Sequence, residues 1–288
     1  MSSGPVGRSI PAAAGSWRRA VNRLLAREPA LYAAALRLIG SPDLGKRTFV
    51  ALVGRGDVVF DVGANRGSYT ALFARLAAPG GEVHAFEPVP PTCEALEANL
   101  RAQGIGDVVV NRSALGEAAG ELPLFVPGDD FGQASLARHA AGSWSKASAV
   151  QSFSAPVETL DEYARRRSLD HLDFVKCDVE GAELPVLRGA TETLRTLAPL
   201  LYLEVCADWT AGFGYEPSAV PEHLCRLGYT GFYLVRSQAA GGIRRLADPA
   251  AELSPERLHG SADLLCATPA HRGRLDRLAS RLGGLRWG

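Results

Sequence analysis

The stretch Val59-Phe60-Asp61-Val62-Gly63-Ala64-Asn65-Arg66-Gly67-Ser68-Tyr69-Thr70 decides the reading of this chain. A run of apolar, β-branched residues enters a turn with glycines at 63 and 67 and leaves it as a helical pattern, so a strand passes through a tight turn into a helix. Glycine lets the main chain turn sharply and approach a ligand with no Cβ in the way, and the helix that follows offers unpaired N–H groups to a polar group.

Outward from this turn the same alternation repeats. Val58–Val62 is the first strand, Ser68–Ala77 its helix and Glu82–Phe86 the second strand, with Pro79-Gly80-Gly81 between them. Pro90–Gln103 reads as a helix that tolerates prolines in its first turn, and Val108–Asn111 as a third strand. Asp173–Asp178 is a fourth main strand, Leu184–Leu197 its helix and Leu200–Cys206 a fifth, followed by a helix over Ala219–Leu227 and strands over Thr230–Val235 and Ala262–Ala267. Short apolar runs alternating with helices of ten to fifteen residues are the mark of βαβ units, so the expected fold class is α/β, a doubly wound, mostly parallel sheet of about seven strands. Leu122–Val126 and Ser152–Val157 read as additional strands. Pro127–Val150 between them, rich in Gly, Ala and Ser, reads as a loop or lid on the substrate side.

A length of 288 residues fits one α/β domain with additions. We expect a flexible leader over 1–15, a helical segment over 16–48 with apolar residues at helical spacing from Ala20 to Leu38, the main domain over 49–270 and a basic tail over 271–288, read as a solvated helix. The formal net charge is zero, which gives no electrostatic reason to expect a nucleic-acid partner. Leu31–Ile39 is too short for a membrane span or an uninterrupted signal core, so a cytoplasmic location is the expectation. Cys93, Cys177, Cys206, Cys225 and Cys266 are far apart with no C-x-x-C pair, which indicates neither a zinc site nor a disulfide framework.

The turn also discriminates between cofactors. A dinucleotide fingerprint starting at Gly63 needs glycine at 65 and 68, where this chain has Asn65 and Ser68. Asp61 would bring a carboxylate towards a pyrophosphate, whereas beside an ammonium and a sulfonium it is favourable, so the charge pattern selects S-adenosyl-L-methionine. Glu87 ends the second strand, 20 residues after Gly67, where an acid accepts hydrogen bonds from both ribose hydroxyls of an adenosine cofactor. Its other reading is a helix N-cap. Asp178, Glu180 and Glu183 follow the fourth strand, at the crevice where open α/β sheets bind ligands. We expect Asp178 near the reacting centre, Glu180 as general base, and Glu183 on substrate or, equally, at the start of the next helix. Glu204 ends the fifth strand and is expected at the substrate. With Asp178 and Glu180 it could hold a divalent cation, but the lack of a neighbouring histidine makes the metal-free arrangement the expectation. His84 is read as structural; His139 and His223 receive no role.

In order and spacing, D-V-G-A-N-R-G (61–67), A-F-E-P-V-P (85–90), N-R-S-A-L-G (111–116) and F-V-K-C-D-V-E-G-A-E (174–183) resemble the FkbM family of methyltransferases, from about Asp57 to Val205. This chain departs from the family at Cys177, where isoleucine or leucine is usual. The resemblance implies a class I methyltransferase fold with S-adenosyl-L-methionine across the carboxyl ends of the first two strands. It places Ser113 with Asp61, Gly63, Asn65, Gly67, Glu87 and Asp178 around that cofactor. It also implies transfer of the methyl group to a hydroxyl on a sugar, glycan, polyketide or other specialised metabolite. A nicotinamide-dependent oxidoreductase on a similar sheet and a silent cofactor-binding module are the alternatives.

Overall fold

The computed structural model describes residues 43–140, 142–236, 242–258 and 260–282. The expected leader over 1–15 and the helical spacing of Ala20–Leu38 lie outside the described residues. The first element among the described residues is α1 (Leu44–Leu52), followed by β1 (Val58–Val62), α2 (Ser68–Ala77), β2 (Glu82–Phe86), α3 (Pro90–Ala102) and β3 (Val108–Asn111). Next come β4 (Ala114–Leu115), β5 (Gly120–Pro127), β6 (Val150–Glu158), α4 (Leu160–Arg166), β7 (Phe174–Cys177), α5 (Glu183–Arg188), α6 (Thr191–Thr196) and β8 (Leu200–Cys206). The last elements are α7 (Ala207–Thr210), α8 (Ala219–Arg226), β9 (Gly231–Val235), β10 (Ile243–Arg245), α9 (Pro249–Glu252), β11 (Ser261–Ala267) and α10 (Arg272–Leu282).

The main sheet has eight strands in the order β10-β9-β11-β8-β7-β1-β2-β3. The five from β8 to β3 are parallel, and β11, β9 and β10 join antiparallel. Every residue of β1 is buried, as a parallel strand covered on both faces requires. One face carries Val59, Phe174, Tyr202 and Leu265 under α1, α2 and α10; the other carries Phe60, Leu203, Phe232 and Leu264 under α4, α5 and α8. Phe49 of α1 ties the first layer together by edge-on contacts to Tyr69, Phe73, Phe174 and Tyr202 at centroid distances of 5.2, 5.1, 5.8 and 4.7 Å.

The structure corrects the sequence reading in four places. The main sheet gains the edge strand β10, and β4, β6 and β5 form a separate three-stranded sheet. The expected strands 122–126 and 152–157 therefore belong to a long hairpin, whose connection holds short 3₁₀ turns at Phe131–Gln133 and Gly142–Ser145. The helix expected over Leu184–Leu197 breaks at Gly189, where a Cβ would lie 1.9 Å from the carbonyl oxygen of Gly116. The β4–β5 turn passes close to Gly189, and the Asp161 carboxylate accepts from the N–H groups of Glu192 and Thr193 at the start of α6, contacts that no local pattern reveals. The C-terminal segment is not simply solvated: Leu275 and Leu278 of α10 are buried, and Arg281 donates to the carbonyls of Val50 and Ala51 at the end of α1.

The chain runs from β1 outward to β3 and then returns to β7 on the other side of β1. The connections diverge between β1 and β7, which opens a crevice at the carboxyl ends of these strands.

Candidate active site

A cleft of about 540 Å³ lies at that point, within the range of about 300–1,000 Å³ usual for small-molecule sites. One wall is the β1–α2 turn. Gly63 has φ +74° and a Cβ there would lie 1.9 Å from the carbonyl oxygen of Asp178, so both conformation and space require glycine. The N–H groups of Gly63 and Ala64 donate to the Phe86 carbonyl, at 3.1 and 3.0 Å, which fixes the turn against the end of β2. Asn65 is left-handed at φ +49°, and Gly67, at φ +78°, immediately precedes α2.

Glu87 joins this turn to the next element. It is buried, it lines the cleft, and its carboxylate accepts from the Asn65 N–H and the Val89 N–H, each at 2.9 Å. Burial pushes its pKa up to about 7 against those two hydrogen bonds. A carboxylate has about four lone-pair sites, so two remain for a ligand. Holding the start of α3 and facing the cleft are compatible roles for this residue.

The floor is a charged line that the sequence reading missed at its centre. Lys176 of β7 is buried; its Nζ donates to the Gly63 carbonyl at 3.1 Å and lies 3.2 Å from Asp178 Oδ2 and 3.6 Å from Asp61 Oδ1. Burial alone would pull its pKa down, but Asp178 and Asp61 outweigh it and push the value up. A lysine inside the apolar strand Phe174–Cys177 was itself the available signal, since lysine is almost never fully buried unless paired. Asp178, pushed up by burial but pulled further by Lys176 and by a hydrogen bond with Glu204, ends below the ordinary carboxylate range.

Asp178, Glu180 and Glu204 converge as expected, with carboxylate oxygens all within 4.8 Å of one another. Burial, followed by the charges of Asp178, Glu183 and Asp130, lifts Glu180 to about 8; burial and Asp178 lift Glu204 to about 9. Within the hydrogen-bonded pair Asp178 is thus pulled down and Glu204 pushed up. Three oxygens this close suit a divalent cation, and protons on Glu180 and Glu204 relieve the same repulsion. Glu180 has φ +53°, a conformation costing a non-glycine residue roughly 1–2 kcal/mol. Such strain persists only where surrounding contacts over-determine it. Its carbonyl accepts from Ser135 Oγ at 2.9 Å.

Ser135 belongs to the hairpin connection expected to act as a lid. Phe131, Gly132, Ala134, Ser135 and Leu136 do line the cleft. Phe131, Ala134 and Leu136 pack on Val89 and Leu124, beside Glu87, so this segment covers the Glu87 end as well as the acidic end. His139, without a role in the sequence reading, locks the segment down: its Nε2 is 2.9 Å from Ser135 Oγ and its ring sits against Trp144 and Trp209 at 5.3 and 4.8 Å. Burial pulls its pKa down, consistent with a neutral ring.

Five expected site residues do not line the cleft: Gly67, at the start of α2, Glu204, which reaches Asp178 and Glu180 from β8, and three whose side chains are held inside the protein. Asp61 is fully buried and accepts from Thr70 Oγ1 at 2.6 Å; it acts on the site through Lys176. Ser113 donates to Glu158 Oε1 at 2.9 Å, while its neighbours Ala114 and Leu115 line the cleft. Glu183 is the first residue of α5; it is buried and accepts from the N–H groups of Val179 and Gly181 at 3.0 and 3.3 Å. It thus takes the helix-start role. His84 is buried against the Tyr163 hydroxyl at 2.7 Å, and His223 lies 3.3 Å from the Leu187 carbonyl.

Residues 61–230, more than half of the chain, match the Methyltransferase FkbM domain. The chain belongs to the FkbM methyltransferase family. Among curated relatives of this FkbM-family chain, Methyltransferase sdnD of Sordaria araneosa is 28% identical over 205 residues, 63% of the chain and 75% of the relative. 31-O-demethyl-FK506 methyltransferase FkbM of Streptomyces tacrolimicus is 49% identical over 72 residues, covering 25% of the chain and 27% of the relative. Hexuronic acid methyltransferase AglP of Haloferax volcanii is 31% identical over 141 residues, 49% of the chain and 53% of the relative. Against the last two the chain thus spans about a quarter and about half of the relative's length. Among the described residues no helix is long and apolar enough to cross a membrane.

Proposed function

We propose that this FkbM-family chain is an S-adenosyl-L-methionine-dependent O-methyltransferase whose acceptor is a hydroxyl on a sugar, glycan, polyketide or other specialised metabolite. One observation carries the reading. A glycine turn, a buried acid with free lone pairs at Glu87 and a carboxylate at Asp178 meet along one cleft, the acceptor set for ribose hydroxyls at one end and an ammonium at the other. The family supports methyl transfer, the relative named 31-O-demethyl-FK506 methyltransferase supports an oxygen acceptor, and the relative named for hexuronic acid supports a sugar. Zero net charge supports a small-molecule acceptor over a polyanionic one.

The sulfonium supplies an activated methyl group. What remains for the protein is alignment of the acceptor oxygen, worth roughly 7–11 kcal/mol, and removal of its proton, worth a factor of about 10²–10⁴. Glu180, at the cleft and with its pKa raised to about 8, is placed to take that proton, since a base works best with a pKa near the working pH. The hairpin connection lines the same cleft and is placed to cover a bound acceptor.

Titration calorimetry with S-adenosylhomocysteine and with NAD tests the cofactor: binding of the former alone is expected, and heat from NAD alone would overturn the reading. The base is tested with Glu180→Gln. Release of S-adenosylhomocysteine in the presence of a panel of sugar and macrolide hydroxyls should fall about 10²–10⁴-fold, with affinity for S-adenosylhomocysteine unchanged. Full turnover would remove Glu180 as base.

A further inference from the structure

The amino-acid end of the proposed cofactor carries an ammonium and a carboxylate on one carbon. Asp178 answers the ammonium; the carboxylate needs a cation within reach of the same spot. Lys46, Arg66 and Lys176 line the cleft. Lys176 is already committed to Asp178, Asp61 and the Gly63 carbonyl. Arg66 follows Asn65, whose N–H is on Glu87, and its carbonyl is held by Asn99 of α3 at 2.9 Å, so it belongs to the ribose end.

Lys46, in the first turn of α1, is placed differently. Its Nζ lies 5.9 Å from the centroid of the Tyr69 ring, and Lys176 Nζ lies 5.6 Å from the same ring. The two ammonium groups thus flank one side chain, with Asp178 beside the second. The ion pair of Lys46 with Asp43, 3.5 Å long, joins two side chains that are each about a third exposed, at 35% and 32%. Pairs of that kind contribute little, and the other oxygen of Asp43 caps α1 by accepting from the Lys46 N–H at 3.0 Å. Turning Lys46 towards a ligand therefore costs little.

We propose that Lys46 binds the α-carboxylate of the aminoacyl end of S-adenosyl-L-methionine, an inference that rests on the cofactor reading above. It assigns a binding residue to α1, outside the segment that matches the family. Helix α1 is then part of the site as well as a cover for the sheet.

The test compares two ligands by calorimetry on the full chain. S-adenosylhomocysteine carries the amino acid; 5′-methylthioadenosine has the same nucleoside thioether without it. Lys46→Met should weaken S-adenosylhomocysteine about ten- to a hundredfold, the size of a charged hydrogen bond, and leave 5′-methylthioadenosine within about twofold. Lys46→Arg should recover most of the loss. If Lys46→Met weakens both ligands alike, or neither, the assignment is wrong while the cofactor reading stands. If the unaltered chain binds neither ligand, both fall together.

Discussion

Strands β1 and β7 lie side by side, and each has an acid at or beside both of its ends: Asp57 and Asp61 for β1, Asp173 and Asp178 for β7. At their amino ends Asp57 and Asp173 share Arg274, which donates to both oxygens of Asp57 at 2.7 and 3.0 Å and to Asp173 Oδ1 at 2.7 Å. The remaining capacity is used locally: the Gly54 N–H donates to Asp57 and the Val58 N–H to Asp173. At the carboxyl ends one ammonium, Lys176, faces Asp61 and Asp178, Glu180 and Glu204 crowd against Asp178, and three of the four carboxyls are pushed up. Charges that are fully answered hold the sheet together. Charges left partly unanswered mark where a ligand completes the set.

The comparison breaks first at Lys176. Lys176→Met removes the cation between the buried Asp61 and the partly exposed Asp178, and losing one partner of a buried pair costs about 3–5 kcal/mol. Urea denaturation at pH 8 should show a loss of that size. The loss should shrink towards pH 5, because Asp61 and Asp178 can then protonate. A loss independent of pH would mean that the lysine matters for packing and that the carboxyl-end charges are not linked as described.

Arg274→Ala probes the other end with a smaller expected effect, about 2–3 kcal/mol, because the Arg274 and Asp173 side chains retain 21% and 23% exposure and water can reach them. Its value lies in what stays constant: affinity for S-adenosylhomocysteine should not change. A variant that lost stability and ligand affinity together would show that the two ends of the strands are coupled.

The two ends also differ in how they could be read from sequence. The carboxyl end was legible where it is local: Gly63, Asn65, Gly67 and Glu87 lie within one βαβ unit, and hydrophobic runs with glycine turns report such units directly. Asp178, Glu180 and Glu204 come from two strands, and their convergence followed from the parallel order. Lys176 is masked by the apolar strand pattern around it, and Ser135 and His139 carry no local signal because their partners are 45 residues away or across a chain crossing. The break at Gly189 and the clamp by Arg274, 217 residues from Asp57, are likewise products of packing. Asp61, Ser113 and Glu183 were acids or hydroxyls at the right height on the sheet whose side chains turn into the protein, a direction that sequence position alone does not specify.

The smallest effect tests the sign of the unanswered charge. Burial lifts Glu87, Glu180, Glu183 and Glu204 to about 7, 8, 7 and 9 from an ordinary value of 4.5. The folded chain therefore keeps protons that the unfolded chain releases near pH 4.5, and stability from these groups is full below that pH and is lost as pH rises through 7 to 9. The slope is at most about 1.4 kcal/mol per pH unit for each group. Asp178, shifted the other way, opposes this only under acid conditions, where it must protonate. Thermal unfolding of the ligand-free chain should thus occur at lower temperature at pH 9 than at pH 6, and Glu204→Gln should reduce the difference, because an amide keeps the hydrogen bond to Asp178 with no proton to lose. Equal slopes in the two proteins would locate the titration elsewhere and remove Glu204 from the set of strained acids that distinguishes this end of the sheet.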